Sequence, residues 1–131
     1  MAAAIAAFNL RRPVLVAASM SGGWAFPLLV ADPAAVGGFV GVAPVGVREF
    51  ADAVKASLSA RNHRMPAVAL FGSLDASHLA DAETLLGALG DEAEQVVFEG
   101  AEHPAYLKYP ERWHELLVGV ARKVGGGGAG G

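Results

Sequence analysis

The stretch RPVLVAASMSGGWAFPLL, residues 12–29, decides how this chain is read. It opens on Val14, Leu15 and Val16, stiff apolar residues suited to a strand buried on both faces. It breaks at Ser19-Met20-Ser21-Gly22-Gly23, then resumes as the apolar run AFPLLV. A strand, a sharp turn and a buried helix account for that pattern. Residues 13–31 carry no charge and come close to the length that spans a bilayer. Ser19, Ser21, Gly22, Gly23 and Pro27 interrupt them in the middle, so no membrane association is expected.

Outward from this stretch, the chain alternates. Residues 2–8 read as a short helix. GFVGVA, residues 38–43, reads as the next strand and is ended by Pro44. Residues 48–58 place Phe50, Val54 and Leu58 at helical spacing among charges. AVALFG, residues 67–72, is a third buried strand. Residues 77–89 form a helix with Leu79, Leu85, Leu86 and Leu89 as its apolar positions. EQVVFEG, residues 94–100, is a fourth strand, and residues 110–124 close the chain as an amphipathic helix carrying Trp113, Leu116, Leu117 and Val120. In the helix over residues 22–30, Trp24 and Leu28 are expected to face inward. Four strands alternating with helices predict an α/β fold, a parallel sheet with helices on both faces. The expected domain is residues 1–124. The tail GGGGAGG, residues 125–131, has no side chain to bury and is expected to be disordered.

A chain of 131 residues predicts one domain. Hydrophobic residues make up 53% and charged residues 18%, enough apolar material for a core. The formal net charge of -3 comes without a basic block, which argues against nucleic acid as a partner. The chain has no cysteine. That excludes disulfides, thiolate nucleophiles and cysteine-ligated zinc, and it fits a cytoplasmic location. The opening MAAAIAAFNLRR carries its positive charges after the apolar run, the reverse of a signal peptide.

Parallel sheets bind ligands beyond the carboxyl ends of their strands. The residues that matter should therefore follow Ala18, Ala43, Gly72 and Gly100. Behind the first strand, Ser19-Met20-Ser21-Gly22-Gly23 has the form small-x-Ser-x-small, the pattern of a nucleophile elbow centred on Ser21. A hydroxyl on such a turn projects clear of the sheet. The N–H of Gly22, at the start of the next helix, would face an oxyanion formed by attack from Ser21. An ordinary strand-to-helix turn and a phosphate-binding turn have the same composition. No lysine follows the glycines, as it would in a P-loop.

Behind the third strand, GSLDAS presents Asp75, either a helix N-cap or a carboxylate that orients an imidazole. Behind the fourth, GAEHPAY presents His103, otherwise a loop histidine. His63 precedes a strand and so lies at the other end of the sheet, His78 is early in a helix, and His114 lies on a charged helix. No two histidines have metal-site spacing, so neither a metal nor another cofactor is expected. Ser21, Asp75 and His103 occur in the order Ser, Asp, His, each at the same end of a different strand.

With these residues in place, the chain resembles the carboxyl-terminal part of an α/β-hydrolase. It is most similar to the small, lidless group of alpha/beta hydrolase domain-containing protein 14. RPVLVAASMSGGWAFPLL, GFVGVAPVG, ALFGSLD and GAEHPAYLKYPERWHELL carry the resemblance, and HPAYLKYP is its more specific part. The resemblance implies Ser21 as nucleophile, His103 as base and Asp75 as the orienting acid of a serine hydrolase. The substrate would be a small ester, thioester or amide acyl group, released through an acyl-enzyme. Cap domains usually follow the strand after the elbow, but GFVGVA runs through PVGVREF directly into a helix. The site should therefore be open, with Met20, Trp24, Val45 and Tyr106 as candidate walls or rim.

The hydrolase fold also has strands before the elbow strand. The reading is thus of a truncated fold lacking its N-terminal strands, with residues 14–18 as an exposed apolar edge. The alternative function is a non-catalytic fragment or partner-binding module, its edge completed by another strand. That strand would come from a partner or from the missing N-terminal half.

Overall fold

The structure is a computed structural model that describes residues 1–129. Its elements run α1 (Ala2–Ala7), β1 (Val14–Ala18), α2 (Gly22–Ala31), β2 (Gly38–Val42), α3 (Val47–Ala60), β3 (Ala67–Gly72), α4 (Ala76–Leu79), α5 (Ala82–Leu89), β4 (Ala93–Phe98) and α6 (Pro110–Ala129). Short 3-10 turns occupy Ser19–Ser21, Pro33–Ala35 and Ala105–Leu107. The four strands lie in the order β1-β2-β3-β4, all parallel, with Val14 beside Gly38, Phe39 beside Ala67 and Ala67 beside Ala93. The α/β architecture expected from the alternation is the one observed.

That strand order dictates where the helices go. Crossovers between parallel strands are right-handed, so three successive steps in one direction put their helices on one face. Ala25, Phe26 and Leu29 of α2, Val54 and Leu58 of α3, and Leu85 and Leu89 of α5 accordingly share one core with Ala17, Phe39, Ala69 and Phe71. The chain leaves β4 and returns across the opposite face as α6. There Trp113, Leu116, Leu117 and Val120 cover Val40, Val42, Val68, Leu70 and Phe98. β2 and β3 are buried along their whole length. Their continuous apolar runs are what a strand covered on both faces needs.

The edges differ from this centre. β1 pairs only with β2 among the described residues. On the α6 side, Val14 and Ala18 pack against the core, while Val16 between them is 39% exposed. The expected apolar edge is therefore present. No described helix is long and apolar enough to cross a membrane.

Two expectations are corrected. Trp24 is 73% exposed, not inward. At 100° per residue, Ala25, Phe26, Leu28 and Leu29 already fill the buried side of α2, which leaves Trp24 on the outer side. The single helix over 77–89 is two, α4 and α5, with Ala80 and Asp81 between them. Asp81 turns its N–H back to the His78 carbonyl and stands at the N-cap position of α5 without a side-chain cap bond. α6 runs from Pro110 to Ala129, so it includes the first residues of the expected Gly-rich tail, while Gly130 and Gly131 lie outside the described residues.

Candidate active site

Two glycines set the spacing of the site. A Cβ on Gly22 would lie 2.1 Å from the Val45 carbonyl oxygen. Only glycine lets the start of α2 sit this close to the β2–α3 loop. A Cβ on Gly72 would lie 2.2 Å from the Ala101 carbonyl oxygen. That close approach draws the loop after β4 over the end of β3. The loop is then held by backbone donors, Ser73 to Phe98 (3.1 Å) and Leu74 to Ala101 (3.0 Å). Side chains add to this: the Gly100 N–H donates to Ser73 Oγ (2.8 Å), Lys108 Nζ to the Gly100 carbonyl (2.9 Å) and the Tyr109 hydroxyl to the Glu99 carbonyl (2.7 Å).

His103 rides on this loop. Its Nδ1 lies 2.9 Å from Asp75 Oδ2, and its Nε2 lies 2.9 Å from Oγ of Ser19. Burial by itself would raise the Asp75 carboxyl. Hydrogen bonds from His78 and His103, reinforced by the charge of both rings, outweigh that and hold it below the usual carboxylate range. An ionised carboxylate only accepts, so the proton between Asp75 and His103 resides on Nδ1. In the neutral ring Nε2 is then an acceptor, and the Ser19 hydroxyl donates to it. The Asp75 side chain is 8% exposed and that of His103 28%. The carboxylate is sheltered and the imidazole less so.

The hydroxyl at the imidazole is thus Ser19, which corrects the choice of Ser21. Ser21 makes no side-chain hydrogen bond among the described residues. The small-x-Ser-x-small pattern also fits two residues earlier, with Ala17 and Ser21 as the small residues around Ser19. Backbone conformation separates the two serines. Ser19 has φ of 50°, a left-handed value that a side chain adopts only under strain, on the order of 1–3 kcal/mol. That kink lifts Oγ off the end of β1. Ser21 has ordinary right-handed helical angles at the start of α2. Gly23, offered as the required small neighbour, faces open space: a Cβ there would meet nothing within 4 Å, so packing does not demand its small size.

Gly22 is corrected as well. Its N–H turns back to the Ser19 and Met20 carbonyls, so it is not aimed at a ligand. Asp75 does sit at the N-cap position of α4 but makes no side-chain cap bond, because both its oxygens face histidines. Met20 is 79% exposed and stands with Trp24 and the half-exposed Val45 as outward apolar groups. Tyr106 leaves the wall set: its ring packs on Trp113, centroids 5.2 Å apart, in the core under α6. Beside His103 lies an open depression of about 470 Å³ lined by Leu74, Gly100, Glu102, Pro104, Leu107 and Lys108, none of them offered from the sequence as a binding residue.

The sequence reading also passed over His78. Its Nδ1 lies 2.8 Å from Asp75 Oδ1, and its ring stacks on His103 with centroids 4.6 Å apart and planes 14° apart. Ligand atoms of Asp75, His78 and His103 lie within 4.8 Å of one another, close enough for a metal. The stacking disfavours one. Imidazole ligates through a lone pair in its own plane, and two nearly parallel rings do not aim in-plane lone pairs at one point. The signal for His78 was its spacing, three residues after Asp75 on a helical turn.

Known proteins share this fold and much of its sequence. Over 118 residues the chain is 32% identical to the human "Putative protein-lysine deacylase ABHD14B", covering 90% of this chain and 53% of that protein. It is 31% identical over 118 residues to "Protein ABHD14A" of Danio rerio, 90% of this chain and 42% of that one. Among solved structures, a "predicted CIB-like hydrolase" from Thermoplasma acidophilum superposes with a TM-score of 0.70 at 26% identity, covering 91% of this chain and 55% of that one. The chain belongs to the α/β-hydrolase superfamily. Within it, the chain groups with the ABHD14 proteins and spans about half the length of the curated relatives it matches. No family model matches it.

Proposed function

We propose that the protein is a serine hydrolase that cleaves small ester, thioester or amide acyl groups, with Ser19 as nucleophile. The hydrogen-bonded series Ser19–His103–Asp75 carries this reading. His103 Nε2 takes the Ser19 proton as Oγ attacks the acyl carbonyl. The tetrahedral intermediate collapses to an acyl-enzyme, and the same proton passes from His103 to the departing alcohol, thiol or amine. Water then repeats the sequence and frees the acid. Asp75 keeps the Nδ1–H tautomer and stabilises the imidazolium. General-base action of this kind contributes on the order of two to four powers of ten in rate. The N–H of Met20, the residue after the nucleophile, is the oxyanion donor in this scheme.

The open depression beside His103, flanked by exposed Leu74 and Leu107, favours short acyl groups over long lipid chains. A deacylase description of a relative is in keeping with this chemistry. A cytoplasmic setting belongs to the same reading, since a chain without cysteine suits a reducing compartment.

A fluorophosphonate probe tests the assignment. The protein should be labelled, Ser21→Ala should still be labelled, and Ser19→Ala should not. Labelling that survives Ser19→Ala removes the assignment. A second reading, a partner-binding module, is favoured by the side of β1 that pairs with no strand among the described residues and by the exposed Val16. Another chain could add a strand there. A stable heteromer that takes no label in size-exclusion fractions would support it, and a labelled monomer would oppose it.

A further inference from the structure

The Asp75 carboxylate has two imidazole partners, and a hydrolytic series needs one. Oδ2 faces His103 Nδ1 at 2.9 Å and Oδ1 faces His78 Nδ1 at 2.8 Å. The two rings lie face to face. His78 comes from α4, whose first residue follows Asp75 directly, so the backbone that fixes the carboxylate also fixes His78. The Leu79 N–H donates to the Asp75 carbonyl at 2.9 Å and closes this turn. The arrangement is one connected unit: hydroxyl, imidazole, carboxylate, imidazole.

We propose that His78 is a positioning residue for this site, a proposal that rests on the serine-hydrolase reading. A carboxylate with only one partner can rotate about its terminal torsion, which has a broad preference. The His78 N–H on Oδ1 removes that freedom and leaves Oδ2 directed at His103. The His78 ring also lies against the face of His103 and restrains it from swinging Nε2 away from Ser19. The His103 side chain is 28% exposed, so it is not held on all sides by packing. His78 touches neither the nucleophile nor a reacting atom. It acts through Asp75 and through the stack.

Three substitutions separate these contributions. His78→Ala removes the donor and the ring. His78→Asn puts an amide N–H where Nδ1 lies and keeps the donor without the ring. His78→Phe keeps a flat ring without the donor. The rate constant for fluorophosphonate labelling is expected to fall roughly ten- to hundredfold in His78→Ala, the scale of a small misplacement of catalytic groups. It should recover most of that loss in His78→Asn and remain low in His78→Phe, since the donor is the main contribution. In imidazole nitrogen NMR, the His103 Nδ1–H signal should broaden or move in His78→Ala and return in His78→Asn. Asn and Phe both fill the site, so they carry the test if the alanine variant does not fold. Equal labelling rates for the Asn and Phe variants overturn the proposal. If the unsubstituted protein takes no label, the hydrolase reading fails, and the NMR signal alone decides His78: a His103 signal unchanged between His78→Phe and the unsubstituted protein overturns its role.

Discussion

The two ends of the sheet carry similar features and different chemistry. At the carboxyl end an open depression of about 470 Å³ adjoins His103. At the amino end one of about 440 Å³ adjoins His63, with Lys55, Asn62, Arg64 and Asp91 around it. Both histidines are partly buried and both use Nε2. His63 Nε2 is 3.0 Å from the Val36 carbonyl, a backbone contact that stitches two loops. His103 Nε2 faces a hydroxyl and its Nδ1 faces a carboxylate. Pocket size and residue type do not separate the two ends. What separates them is that strands of a parallel sheet deliver their following turns, and the helix starts after them, to one end only.

Substitutions at the two ends should break this symmetry in order. Ser19→Ala should abolish covalent labelling, the largest effect. Asp75→Asn should leave Ser19 in place but lower the labelling rate by about 10⁴, the scale for losing the correct tautomer in a triad. Gly22→Ala should act on the scaffold: its Cβ meets the Val45 carbonyl at 2.1 Å, and overpacking costs about 1–3 kcal/mol, read as a lower denaturant midpoint. At the amino end, His63→Gln should leave labelling unchanged and cost at most about 1 kcal/mol in stability for one hydrogen bond.

Acid sharpens the same comparison. The Asp75 carboxyl is held below its ordinary value in the folded protein. Its contribution to stability is therefore present above the unfolded value near 3.9 and is lost as pH falls through the lower, folded value. Acid-unfolding curves of Asp75→Asn should be flatter in that window than those of the unsubstituted protein. A slope that does not change would mean that Asp75 gains nothing from its two histidines on folding.

The alternation of apolar runs and helical spacing was legible because each strand and helix writes its burial into local period. AVALFG and GFVGVA are buried on both faces, and their unbroken apolar character announced it. Asp75 and His103 were legible for a related reason: their position after strands β3 and β4 places them at one end whatever the details. Which serine meets the imidazole was not. Two serines two residues apart both satisfy a small-x-Ser-x-small pattern, and composition has no information on which one takes a positive φ. His78 was hidden similarly, since helix spacing brings it to Asp75 only if the carboxylate turns away from its capping role.

By itself, then, the sequence determined an α/β sheet and placed Asp75 and His103 at the same end of it, because burial period and chain order are local properties. Tertiary structure alone decided which hydroxyl meets the imidazole, that Gly22 serves packing in place of an oxyanion, and that Trp24 faces outward. The first two rest on contacts between segments distant in the chain: the loop after β4 brings His103 to Ser19, and the β2–α3 loop lies where a Cβ on Gly22 would be, 2.1 Å from the Val45 carbonyl oxygen.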